Sequence, residues 1–167
     1  MKEFESKDYQ VFNLFNREWG LVTAGKDGHF NTCTIAWGSL GTIWGAPNRG
    51  KPIVTVYVNP SRYTWQFLKK SDYFTVSFFP KEYRNALAYL GSHSGRDGDK
   101  VAAAGLTPTP MGKSQTYKEA NLTFLCKKLY QGGFHRTGMS DEIQDIYVGW
   151  EPHWMFIGEI LEVKDKR

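Results

Sequence analysis

Two stretches, Lys51 to Asn59 (KPIVTVYVN) and Asp72 to Phe79 (DYFTVSFF), set β-branched and aromatic residues at alternating positions. A helix would scatter such a pattern around its circumference, whereas a half-buried strand collects it on one face. Further strands are predicted over Trp19–Gly25 (WGLVTAG) and Phe30–Gly38 (FNTCTIAWG), joined as a hairpin by Lys26-Asp27-Gly28. Ala120–Leu129 (ANLTFLCKKL) and His153–Val163 (HWMFIGEILEV) complete the set. The segments between them are short. Tyr63–Lys70 reads as a helix entered through Pro60-Ser61-Arg62 with Ser61 as its N-cap. Lys81–Leu90 and Asp97–Ala104 read as two more, the latter stopped by Gly105, and Ser140 caps a last one running to Val148. Leu106–Glu119 and Gln131–Met139 read as loops that shape a substrate side. Strands separated by turns and short helices, without strict strand–helix alternation, predict a mainly β fold built as a mostly antiparallel barrel. A dinucleotide-binding α/β domain is excluded, because no GxGxxG follows a strand.

The chain of 167 residues suits one domain spanning 1–167, with no apolar run long enough for a membrane span. Met1–Gln10 carries charges where a secretory signal needs an apolar core, which predicts a cytoplasmic protein. Cys33 and Cys126 show neither metal-site nor framework spacing and are expected as free thiols. A net charge of +4 suits an anionic ligand, and a 16% aromatic content suits a flat one.

Two segments concentrate anion-binding chemistry. Asn59-Pro60-Ser61-Arg62-Tyr63-Thr64 is a strand end turning into a helix start, with two hydroxyls and a guanidinium beside free N–H groups. It reads either as a phosphate site or as a capped helix with a solvated arginine. Gly91 to Lys100 (GSHSGRDGDK) carries Arg96 and Lys100 four apart, so both could address one anion from a single helical face. Equally, Asp97 or Asp99 could cap an ordinary helix there. Asn31–Ser39 places small residues and hydroxyls beside Trp37, offering backbone groups and an aromatic cover to a planar ring, or simply a packing tryptophan. The four histidines form no HExxH pair, the cysteines no CxxC, and no GxSxG elbow occurs. No catalytic side chain and no metal site is assigned, so an enzyme built from this inventory takes its reactivity from a cofactor.

In these blocks the chain resembles the flavin reductase-like family, flavoproteins of the FMN-binding split β-barrel that include flavoredoxin-type members. The resemblance rests on Asn31–Gly38 (NTCTIAWG), Val56–Thr64 (VYVNPSRYT), Tyr73–Phe79 (YFTVSFF), Gly91–Lys100 and Phe156–Ile160 (FIGEI), in order along most of the chain. It implies a split antiparallel, Greek-key β-barrel binding FMN noncovalently at a homodimer interface. Electrons would come from NADH or NADPH and pass to free flavin or another acceptor. Carried onto this sequence, Ser61, Arg62 and Thr64 with Ser94, Arg96 and Lys100 hold the phosphate and ribityl chain, and Tyr63 and Gly95 belong to the same blocks. Asn31, Thr34, Ile35, Ala36 and Trp37 border the isoalloxazine, and Trp154 touches the ring from the second subunit. Two other functions fit the residues less completely: an FMN electron carrier reduced by a protein partner, and a barrel that binds single-stranded nucleic acid through exposed aromatics.

Overall fold

A computed structural model describes all residues, Met1–Arg167. A seven-stranded sheet in the order β2-β1-β5-β8-β9-β4-β3 dominates it, and each neighbouring pair is antiparallel. The strands are β1 (Gly20–Lys26), β2 (His29–Ile35), β3 (Gly38–Ile43), β4 (Lys51–Val58), β5 (Tyr73–Phe78), β8 (Leu122–Gly133) and β9 (Trp154–Asp165), with β6 (Pro108–Met111) and β7 (Ser114–Tyr117) as a separate hairpin. The helices are α1 (Val11–Asn13), α2 (Tyr63–Lys70), α3 (Arg84–Ser92), α4 (Lys100–Ala103) and α5 (Asp141–Ile146). None is long and apolar enough to cross a membrane.

The alternating runs behave as predicted. In β5 and β8, Phe74, Val76, Phe78, Leu122, Phe124 and Cys126 share one core with Val54, Val56 and Val58 of β4 and Phe156 and Ile160 of β9. Its aromatic rings meet edge to face, as Phe78 does with Phe15 at 5.3 Å and Phe124 with Tyr9 at 5.2 Å. Register shifts at Leu125/Cys126 and Lys128/Tyr130 bend the long β8–β9 pair. The sheet thereby rolls until β2 and β4 approach one another. The first hairpin turns at Asp27 (φ 52°) and Gly28 (φ 77°), the positive pair that a two-residue turn needs to match strand twist.

Three features differ from the sequence reading. Gly38–Ile43 forms the edge strand β3, whose two glycines and outward-facing residues hide its periodicity. The predicted loop Leu106–Glu119 contains the β6–β7 hairpin, and the predicted loop at 131–139 begins as the end of β8. Prolines 108 and 110 are tolerated because β6 is a sheet edge. β7 is polar yet wholly buried. Thr116 meets Ser77 and Thr123 at 3.1 and 2.8 Å, and the Tyr117 hydroxyl meets Thr23 at 3.1 Å. These partners satisfy the hydroxyls that burial would otherwise penalise.

A candidate cofactor cleft between two strand ends and two helix ends

β2 and β4 end side by side, and the chain after β4 turns through Pro60-Ser61-Arg62 into α2. The turn is organised by Asn59: its Oδ1 accepts from the Ser61 N–H at 3.0 Å and its Nδ2 donates to the Glu151 carbonyl at 2.7 Å. Ser61 is therefore not the N-cap. Arg62 occupies that position without a side-chain cap, and no backbone carbonyl accepts from the first-turn N–H groups of Tyr63 and Thr64. The C-terminal end of α3 and the loop after it face this turn.

The result is a cleft of two chambers that share Cys33 and Arg62. The smaller, about 130 Å³, is lined by Ser61–Thr64, Ser92–Ser94, Arg96 and Lys100. Among its lining residues are three cations and no carboxylate. The larger, about 270 Å³, is lined by Thr34–Trp37, Tyr57–Asn59 and His153. A cavity of about 450 Å³ elsewhere also has cations, but it contains Glu18. There Arg84 is occupied by the Arg17 and Glu18 carbonyls and by the Trp19 ring. Charge rather than volume singles out the cleft.

Within the small chamber the donors divide into two kinds. The Ser61 hydroxyl makes no bond within the chain, Ser94 Oγ accepts only from the Arg96 N–H at 3.2 Å, and Arg96 lies over the Tyr63 ring at 4.5 Å. Arg62 Nη1 donates to the Gly91 carbonyl at 2.7 Å, leaving the rest of its fork free. By contrast, Lys100 is buried and its Nζ donates to the Leu90 and His93 carbonyls at 3.1 and 2.9 Å. One of its three protons is left for a ligand. Burial pushes its pKa down, with the Arg62 charge acting the same way. The predicted shared helical face of Arg96 and Lys100 does not form, because Gly98 at φ 139° separates a turn over Gly95–Asp97 from α4. Asp99 is the cap of α4, accepting from the Ala102 N–H at 3.1 Å.

The ring-bordering set is also redistributed. Trp37 is half exposed beside the larger chamber, with Thr34 and Ala36 next to it. Ile35 is buried in the core and contributes to the wall of the larger chamber. Thr34 Oγ1 donates to the Leu87 carbonyl at 2.5 Å. Asn31 is at the far end of β2, where its Oδ1 accepts from Thr64 Oγ1 at 2.6 Å. Together with Gly95 it lines a further cavity of about 380 Å³ that shares Lys100 with the small chamber. A Cβ at Gly95 would fall 2.0 Å from Asn31 Nδ2, so only glycine fits there. Trp154 packs edge-on against Trp65 of α2 at 5.1 Å, away from the chamber linings.

Cys33, Tyr57, Asn59, Ser92 and His93 also line the cleft, within the segments singled out but without an assigned role there, and His153 lies outside all of them. His153 stands out, with its ring 4.6 Å from that of Trp37. Burial, with the Arg62 charge second, lowers its pKa from 6.5 to about 4. The unfolded chain therefore takes up a proton that the folded protein refuses as pH falls from 6.5 toward 4. Stability is expected to decline across that window, and His153→Gln is expected to flatten the decline, as read by denaturant unfolding at several pH values. An equally steep decline in the variant would assign it to other groups.

The family model described as "Flavin reductase like domain" matches residues 12–167. The chain belongs to this family. Solved structures share its fold. An FMN-binding protein from Thermus thermophilus, determined with bound 1-cyclohex-2-enone, is 20% identical over 99% of this chain and 81% of its own, with a TM-score of 0.69. Flavoredoxins from Methanosarcina acetivorans and Desulfovibrio vulgaris (Miyazaki F) are 22% and 24% identical. They cover 96% and 99% of this chain and 74% and 76% of their own, with TM-scores of 0.68 and 0.65. A search of curated protein sequences finds no match. As a flavin reductase-like domain, the chain has the antiparallel sheet predicted from its residues and the split-barrel-like form that the resemblance implied.

Proposed function

We propose that the cleft binds FMN noncovalently and that the protein is an NAD(P)H-dependent flavin reductase, passing electrons from NADH or NADPH to free flavin or another acceptor. The observation that carries this reading is the junction, through Cys33 and Arg62, of a carboxylate-free cationic chamber with an aromatic-walled one. An anionic tail and a planar ring need those two environments in that order. Family membership and the FMN-binding structural relative support it.

In this reading Ser61, Ser94, Arg62, Arg96 and the remaining proton of Lys100 hold the phosphate, with the first-turn N–H groups of α2 behind them. Thr34, Ala36 and Trp37 wall the ring, while the Asn31–Thr64 bond and Gly95 keep β2, α2 and the Ser94–Arg96 loop in register. FMN, when bound, supplies hydride acceptance and donation at its N5, so the protein's task is to position a nicotinamide against the ring. Convergence of the cations on one chamber, rather than along an extended groove, favours a compact anion over a nucleic-acid strand. The family resemblance supports a homodimer, which sedimentation would test.

The decisive experiment is an absorption spectrum of the purified protein after FMN addition and removal of the excess, then anaerobic NADH and NADPH. Retained flavin that bleaches with either nucleotide is the expected result and names the donor. Retained flavin bleached by neither would replace the reductase with an electron carrier, and no retained or titratable flavin would overturn FMN binding. Arg96→Ala and Lys100→Ala separate the two kinds of donor. Both are expected to weaken FMN binding about ten-fold. Only Lys100→Ala should also lower the melting temperature, because it strands the buried Leu90 carbonyl and the part-buried His93 carbonyl. Equal melting temperatures would show that those carbonyls find other partners.

A further inference from the structure

His153 immediately precedes β9 and is held from three sides. Trp37 packs on its ring at 4.6 Å and Trp150 at 5.5 Å, while the Tyr147 hydroxyl lies 2.8 Å from its Nδ1. Tyr147 is buried in the turn that follows α5. That turn is pinned at its neck, since Arg136 Nη2 donates to both the Tyr147 and Trp150 carbonyls at 3.1 and 2.6 Å. The Tyr147 hydroxyl has no other hydrogen-bond partner, so the pinned segment ends in a phenol committed to one imidazole nitrogen.

That commitment has a chemical consequence. The Arg62 guanidinium and burial both disfavour the imidazolium, so His153 is neutral over the physiological range. A neutral imidazole carries one proton, and a phenol donating to Nδ1 leaves that proton on Nε2. Nε2 makes no hydrogen bond within the chain, and His153 lines the larger chamber. With the phenol as donor the cleft meets an N–H group at Nε2, and with Nδ1 as donor it would meet a base.

We propose that Tyr147 is a positioning residue: by donating to Nδ1 it holds His153 as the Nε2–H tautomer and presents that N–H to an acceptor oxygen of a planar ligand bound in the larger chamber. The ligand part of this inference rests on the proposed function, and the tautomer part does not.

Long-range proton–nitrogen correlation spectra of protein labelled in its histidines read the tautomer directly in the cofactor-free state, with His153→Gln assigning the signal. Wild-type protein is expected to carry the proton on Nε2. In Tyr147→Phe the Nδ1–H population is expected to rise about five-fold, the effect of one lost hydrogen bond. Arg136→Gln, which loosens the neck of the turn, should move the ratio in the same direction, and it carries the comparison if Tyr147→Phe does not fold. A wild-type imidazole protonated on Nδ1, or an unchanged ratio in the variants, would overturn the assignment. Tyr147→Phe should also weaken FMN binding about five-fold in fluorescence titration, because the FMN ring is the planar ligand that the larger chamber receives. A shifted tautomer with unchanged FMN affinity would break the link to the ligand. Absence of FMN binding in wild type would refute the proposed function and, with it, this ligand link, while leaving the tautomer result intact.

Discussion

Arg62→Ala is expected to weaken FMN binding by about 10- to 100-fold, more than any other single change in the cleft. Arg62 is the cation shared by both chambers. Its Nη1 also ties the turn before α2 to the Gly91 carbonyl at the end of α3. Removing it deletes a charge-assisted contact to the phosphate and frees two walls of the site to separate. Its side chain is solvent-facing, so the fold should survive. Fluorescence titration of FMN beside thermal unfolding would show loss of affinity at a near-constant melting temperature. Arg62→Lys, which keeps the charge but not the fork, should fall between. An unchanged affinity in Arg62→Ala would place the phosphate elsewhere.

Phe74→Ala is expected to destabilise the protein by about 3–5 kcal/mol, lowering the melting temperature by about 10 °C. The ring is 1% exposed at the centre of the sheet. It occupies the space above Gly158 of β9, where an added Cβ would stand 2.7 Å from both the Phe74 ring and the Cys126 Cβ. The glycine and the phenylalanine are thus two halves of one packing solution. Alanine at position 74 leaves a void that Gly158 cannot fill. Denaturant unfolding checks the figure, and a loss below about 1 kcal/mol would mean that the neighbouring strands collapse into the space.

The core around Phe74 was legible in the sequence because the alternation of β4, β5, β8 and β9 records which side of each strand is dry. β3 escaped because Gly38 and Gly41 carry no side chain to mark a face and the strand lies at an edge. β7 escaped for the opposite reason, since Ser114–Tyr117 looks soluble but is buried through hydroxyl partners supplied by β1, β5 and β8. In the cleft, the two cationic segments and the Trp37 strand end were recognisable from residue type and their place at a helix start. Lys100 was recognisable as a cation, but its ties to Leu90 and His93 were not.

His153 marks the boundary most clearly. Nothing in its local sequence separates it from the other three histidines, and its partners Trp37, Tyr147 and Arg62 come from three different parts of the chain. The sequence alone determined the strands β1, β2, β4, β5, β8 and β9, the start of α2 and the sign of the charge in two loops. Those properties depend on backbone preferences and on burial patterns that repeat over a few residues. Only the tertiary structure decided that Asn31 bonds Thr64, that Trp154 packs on Trp65 and that His153 faces the cleft. A hydrogen bond or a ring contact is a relation between two positions in space, and no single segment carries the coordinates of its partner.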